Sequence, residues 1–188
     1  MKTLFALAAL LTALAAGGIE TVFQCDFNVP DSIRSWSAPA NMTYLPDGGR
    51  NGSGGLRFVN KNPKGMVIAT LPLDIEKLRG RGVMLEGWIR AENVSATTIH
   101  YHGPKLMLII TNQDGKKEYP DQPKVYGSHD WKKFTVFARV SKNAKAAALV
   151  LGLEGVSGTV FFDDLRMTLE PLSAGWKQVP NGLPVQKK

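Results

Sequence analysis

Leu149-Val-Leu-Gly-Leu-Glu-Gly-Val-Ser-Gly-Thr-Val-Phe-Phe-Asp-Asp-Leu-Arg-Met167 decides the fold class. Two runs of alternating apolar residues flank Gly155-Val-Ser-Gly158, the pattern of a β-hairpin with a short polar turn. The second run carries Asp163 and Asp164, although Asp is depleted in strands. The alternation sends one of the two to solvent and the other inward. An inward carboxylate needs a partner: a metal ion, a backbone amide, or a Lys or Arg.

Strand signals recur on both sides of this stretch, over residues 21–27, 56–59, 66–71, 83–91, 105–111, 131–139, 146–153 and 159–169. Turn clusters separate them, among them Asp47-Gly-Gly-Arg-Asn-Gly-Ser-Gly-Gly55 and Asn112-Gln-Asp-Gly115. No strong helical period appears, and residues 73–78 suit one helical turn at most. Roughly nine strands at this spacing, each with one apolar face, predict an all-β antiparallel β-sandwich over residues 20–170. The glycine-rich stretch is no phosphate cradle: it lacks a Lys-Ser/Thr end and precedes a strand rather than a helix.

Over 188 residues, 44% hydrophobic and 21% charged, there is apolar material for one core. Residues 1–15 stand apart from it. Met1-Lys2 is a basic start, residues 4–14 are apolar, and Ala13-Leu14-Ala15 fits a small-x-small cleavage site. This is the layout of a secretory signal peptide, too short to span a bilayer as a helix. It predicts a secreted protein, extracellular or periplasmic. Cys25 is the single cysteine, so no intramolecular disulfide forms. The preceding Val22-Phe23-Gln24 lacks the small residues of a lipoprotein signal, and Cys25 reads as a small buried residue of the first strand.

The formal charge of +7 is spread along the chain, as at Lys116-Lys117, Lys132-Lys133, Lys142 and Lys145. A nucleic-acid reader would gather a basic stripe on one element. No nucleic-acid or membrane partner is expected, and attraction to an acidic polysaccharide is compatible with the charge. Pro180, Gly182 and Pro184 mark residues 171–188 as a linker-like tail, so the chain is either a free-standing monomeric module or one end of something larger.

Five motifs in order resemble carbohydrate-binding modules with a β-sandwich jelly-roll, galactose-binding-like fold. They are Phe23-Gln-Cys-Asp-Phe27, Asn51-Gly-Ser-Gly-Gly-Leu-Arg-Phe58, Leu85-Glu-Gly-Trp-Ile-Arg-Ala-Glu-Asn-Val94, Gly127-Ser-His-Asp-Trp-Lys-Lys-Phe134 and Phe161-Phe-Asp-Asp-Leu165. The forms most similar sit upstream of cellulase-like glycoside hydrolase domains. The resemblance implies a non-catalytic module that binds a plant-type β-glycan and targets such a hydrolase. It also implies a structural calcium ion between the first and last strands. The matching positions are Asp26, Asp47 and Asp163, with loop carbonyls around residues 48–51 completing the oxygen set. The alternative is that Asp163 and Asp26 bond to backbone or Arg groups.

Sugars are bound by aromatic rings on their C–H faces and by carboxylates, amides and guanidinium groups on their hydroxyls. Alternation over 83–91 places Val83, Leu85, Ile89 and Ala91 inward, and Met84, Glu86, Trp88 and Arg90 outward. Over 149–154 it places Leu149, Leu151 and Leu153 inward and Glu154 outward. If both strands share a concave sheet, Glu86, Trp88, Arg90 and Glu154 converge on one groove. Tyr101, between His100 and His102, and Tyr126 are expected at its rim, with Tyr119 nearby. The two histidines at a spacing of two also match part of a zinc site, without a third ligand in sight. The resemblance implies that Trp131 packs in the core, as a structural tryptophan. Glu86 and Glu154 would be the carboxylate pair of a glycosidase, but the resemblance is to non-catalytic modules. The alternative to sugar binding is a structural or partner-binding sandwich, and a buried Trp88 with no other aromatic in the concave groove would favour it.

Overall fold

The computed structural model describes residues 19–170 apart from residue 121, and the backbone of Lys177–Gln178 and Pro184–Val185, which pair with each other. Residues 1–15, where a signal peptide is expected, and most of the tail lie outside the described residues.

Two antiparallel sheets face one another. The six-stranded sheet contains β1 (Glu20–Cys25), β2 (Met42–Leu45), β3 (Gly55–Asn60), β5 (Gly82–Val94), β8 (Gly127–Arg139) and β10 (Gly158–Glu170). Its order is β2-β3-β10-β5-β8, with β1 also on β10. The four-stranded sheet is β4 (Met66–Leu73), β9 (Ala144–Glu154), β6 (Gly103–Asn112) and β7 (Lys117–Glu118), in that order. A single helical turn, α1 (Ile75–Leu78), is capped by Asp74, whose carboxylate accepts the Glu76 amide at 3.2 Å. The all-β sandwich predicted from the strand spacing is the observed architecture. The strands missed were the short ones, β2 and β7.

The chain around Gly155–Gly158 departs from expectation. β9 and β10 are not a hairpin, because they lie in different sheets. Alternation says only that each strand has one buried face, which suits an arch between sheets as well as a hairpin within one. Here the turn's backbone is satisfied by neighbouring loops. Gly155 N donates to Gly65 O at 2.9 Å, and Ser157 N to Ser95 Oγ at 3.0 Å. Leu149, Leu151 and Leu153 therefore face Val160, Phe162 and Leu165 across the core rather than beside them, and all six are fully buried.

The inward residues assigned by alternation hold. Val83, Leu85, Ile89 and Ala91 of β5 and Leu106, Leu108 and Ile110 of β6 are buried. Gly87, also inward on β5, sits where a Cβ would meet Leu165 Cδ2 of the neighbouring strand at 2.7 Å and Leu106 Cδ1 of the facing sheet at 3.3 Å, so a larger residue there would force both leucines to move. The buried tryptophan is Trp36, whose ring centroid lies 6.5 Å from that of Phe27. Trp131, expected in the core, is only partly buried and lies on the outer-face side of β8, with the Arg90 guanidinium 5.9 Å from its ring centre. Cys25 is buried in β1, and burial pushes its thiol pKa up.

One irregularity explains the paired aspartates. β10 is flanked along one edge by β5, and along the other by β3 over Gly158–Phe162 and then β1 over Leu165–Leu169. Asp163 and Asp164 fall at the handover, where the ladder is interrupted and Asp164 has φ 48°. Side-chain oxygens take over the bonds the ladder lacks there.

Candidate functional site

The outer face of the four-stranded sheet carries a groove of about 620 Å³. Its floor follows from the two-residue period: where Leu106, Leu108 and Ile110 point inward, Lys105, Met107 and Ile109 point outward. Ile68 of β4 and Val150 of β9 extend this apolar floor. The loop before β6 adds His100 and Tyr101, and the loop after β7 adds Tyr119, Pro120, Gln122 and Lys124. Tyr101 is 53% exposed and Tyr119 62% exposed; the Tyr101 ring makes T-shaped contacts with His100 and His102, ring centroids 5.3 and 4.8 Å away.

A buried polar cluster closes one end. Lys105 is 4% exposed, and its ammonium meets Glu154 Oε2 at 2.9 Å, Gln122 Oε1 at 2.6 Å and the Tyr101 carbonyl. Gln122 Nε2 donates in turn to Tyr101 O at 2.9 Å and His102 O at 3.3 Å. Three donors on one ammonium thus tie both loops to the sheet. Burial holds the Lys105 pKa below its ordinary value, with Glu154 opposing that fall.

The predicted residues divide between two faces. Glu154 and Tyr101 line this groove. Glu86, Trp88 and Arg90 do not, because β5 belongs to the other sheet. Their convergence with Glu154 was the wrong inference: an outward position on a strand does not say which sheet the strand joins. Tyr126, 38% exposed, lies against Gly103 at the start of β6 but outside the groove lining. Glu86 and Glu154 stand on opposite faces, each ion-paired, Glu86 to Lys133 at 2.6 Å and Glu154 to Lys105. They cannot act together on one glycosidic bond.

On the six-stranded sheet the expected sugar contacts are taken up internally. The Arg50 guanidinium lies 4.2 Å from the centre of the Trp88 ring and meets Asp164 Oδ2 at 2.8 Å. Arg90 lies 3.8 Å from the Phe161 ring centre and pairs with Glu92 at 3.0 Å. Trp88 is half-buried and borders a pocket of about 230 Å³ with Glu86, Lys133 and Arg166.

The groove residues that sequence reasoning missed are Lys105, Met107 and Ile109. The alternation applied to β5 and β9 would have found them if applied to 105–111. Gln122 sits in a loop with no pattern to mark it.

The three carboxylates expected around calcium do not gather. Asp26 and Asp47 are exposed, and Asp26 Oδ1 accepts the Asn28 amide at 3.1 Å. Among the described residues no three His, Cys, Asp or Glu side chains come together to hold a metal ion, the His100–His102 pair included. Asp163, fully buried, is different. Its Oδ2 accepts Arg50 N at 2.7 Å and its Oδ1 accepts Asp164 N at 2.7 Å. Ser53 Oγ lies 2.7 Å from Asp163 Oδ2 and 2.5 Å from Arg50 O, yet has one proton for these two acceptors. Gly49 must be glycine beside them, since a Cβ would lie 2.7 Å from Asp163 Oδ2 and 2.1 Å from Gly54 O. This oxygen-rich corner, one proton short, fits a bound cation or a protonated Asp163. Burial raises the Asp163 pKa.

No protein-family model and no curated protein matches the sequence. Solved structures do. One is the CBM22-1–GH10 portion of endo-1,4-β-D-xylanase 10B of Clostridium thermocellum, described as complexed with xylohexaose. Its TM-score is 0.60 at 16% identity, over 82% of this chain and 29% of that one. The C-terminal family 22 carbohydrate-binding module of the same xylanase gives 0.58 at 15% identity, over 79% of this chain and 92% of that one. The CBM22-1 xylan-binding domain of a Paenibacillus barcinonensis protein gives 0.56 at 12% identity, over 85% of this chain and 100% of that one. At these identities the shared property is the fold, a β-sandwich of the carbohydrate-binding-module type. The chain spans 29% of the length of the first of these proteins.

Proposed function

We propose that the chain is a non-catalytic polysaccharide-binding module that takes a plant-type β-glycan such as xylan in the groove of the four-stranded sheet. The observation that carries this reading is the pair of exposed rings, Tyr101 and Tyr119, above an apolar floor closed by Lys105, Gln122 and Glu154. Rings and floor suit the C–H faces of a sugar chain, and the buried polar cluster fixes the loops that carry the rings. The fold shared with xylan-binding modules supports the ligand class. Export through residues 1–15 and service as the targeting part of a glycoside hydrolase belong to the same proposal.

The test is affinity electrophoresis on xylan, cellulose, mannan and mixed-linkage glucan. Retention on at least one is expected, weakened about 10-fold or more by Tyr101→Ala or Tyr119→Ala. Folded protein that no glycan retains would instead favour a structural or partner-binding sandwich.

A structural calcium ion at Asp163, with Ser53 Oγ and the Arg50 carbonyl as further oxygen donors, is part of the proposal. EDTA is expected to lower the unfolding midpoint by roughly several degrees, and calcium to restore it. An unchanged midpoint would assign the corner to a proton shared by Asp163 and Ser53.

A further inference from the structure

The charges in the groove are unevenly spent. Among the described residues lining it, Glu154 is the single carboxylate, and Lys105 neutralises it at 2.9 Å. The Lys105 ammonium has no donor left: its remaining two go to Gln122 Oε1 and the Tyr101 carbonyl, and the side chain is 5% exposed. Lys124 is the opposite case. It is exposed at the rim, donates to the His100 carbonyl, and retains two further N–H donors. Its charge also stands close enough to Lys105 to lower that residue's proton affinity. Among the described lining residues this leaves one surplus positive charge, held on the His100 carbonyl. A neutral sugar chain brings no counter-ion to it. A carboxylate arriving at the rim would pair with Lys124 and relieve its repulsion with Lys105.

We propose that the groove favours β-glycans bearing carboxylate side groups, such as uronic-acid branches, and that Lys124 is the residue that reads them. The proposal rests on the glycan-binding reading above and adds the substrate class. The apolar floor takes the uncharged backbone of the polymer. Lys124 takes the acidic branch at the rim, where there is room for one.

The experiment compares retention on glucuronoxylan with retention on the same polymer after its carboxyl groups have been reduced to alcohols. An exposed ion pair supports a preference of about threefold to fivefold for the acidic polymer at low salt. That preference should shrink in 0.5 M NaCl, where screening acts over about 4 Å. In Lys124→Gln the ratio of the two affinities should fall to about one, whatever happens to either affinity alone, and Lys124→Arg should restore it. Equal retention of both polymers by the wild-type protein would overturn the proposal and leave glycan binding standing. A preference that survives in Lys124→Gln would overturn the assignment to Lys124 and point to the general positive charge of the chain. Failure to retain either polymer, with cellulose, mannan or mixed-linkage glucan retained, would overturn this proposal alone; failure on all of them would sink the glycan-binding reading as well.

Discussion

The outer faces of the two sheets carry similar residue types and use them differently. On the six-stranded sheet each of these groups has an internal partner: Arg50 lies over Trp88 and pairs with Asp164, Arg90 lies over Phe161, and Glu86 pairs with Lys133. On the four-stranded sheet the polar groups are also paired, but below the rings rather than on them. Lys105, Gln122 and Glu154 close one end of the groove, and Tyr101 and Tyr119 stay exposed, Tyr101 steadied by the His100 and His102 rings. A ring capped by the protein's own guanidinium stabilises the sheet. A ring held in place by a cluster beneath its loop is ready for a ligand, since the ordering that binding would otherwise require is already present. The difference lies in where the partners sit, not in which residue types are present.

The strongest way to break that contrast is Lys105→Met. The substitution keeps the apolar stem and removes the ammonium that joins Glu154, Gln122 and the Tyr101 carbonyl. It leaves the buried Gln122 amide oxygen without its donor. Urea unfolding should show a loss of about 2–3 kcal/mol, and glycan retention should fall because the Tyr101 loop loses its anchor. The pH dependence gives an independent check. The folded-state pKa of Lys105 lies below its ordinary value of 10.5. Between the two, the folded protein binds fewer protons than the unfolded chain, so stability from this residue rises with pH there. At lower pH the cost of burying the charge is present in full. The stability gap between wild type and Lys105→Met should therefore widen as pH rises toward 10.5. A parallel offset at every pH would mean that the buried charge plays no part.

How far this contrast was legible in the sequence follows from particular strands. The period-two pattern of 83–91 separated buried from outward residues correctly, because a strand in a sandwich has one buried face wherever it lies. The same pattern could not say that β5 and β9 belong to different sheets. That depends on pairing between distant segments, and it is what separated Trp88 from Glu154. The arch at Gly155–Gly158 misled for the same reason, since a turn between sheets and a turn within one share the same glycines. Asp163 announced itself, because a carboxylate inside a strand demands partners. Its actual partners, the Arg50 amide and Ser53 hydroxyl, come from a loop 110 residues away or more, and no local spacing encodes them. Lys105 was hidden by its own run: among Leu, Met and Ile it reads as the start of a buried strand, and its aliphatic stem is buried.

Trp88→Ala sharpens the contrast with the smaller effect. The residue is half-buried, and its upper ring face is covered by Arg50. Removing it takes away packing and a cation–π contact, for an expected loss of about 1–2 kcal/mol in urea unfolding. The Arg50–Asp164 ion pair adds little to that figure, because its side chains are 32% and 36% exposed and solvent screens them. Glycan retention should stay at the wild-type value, since β5 has no residue in the groove lining. If Trp88→Ala releases the glycan while its fold and the groove tyrosines are intact, then the six-stranded sheet carries the sugar. Arg50 would have to swing off the ring on binding, and the opposite groove would no longer explain retention. A stable Trp88→Ala protein that still binds, beside a Tyr119→Ala protein that does not, would assign recognition to the four-stranded sheet by a difference that neither variant shows alone.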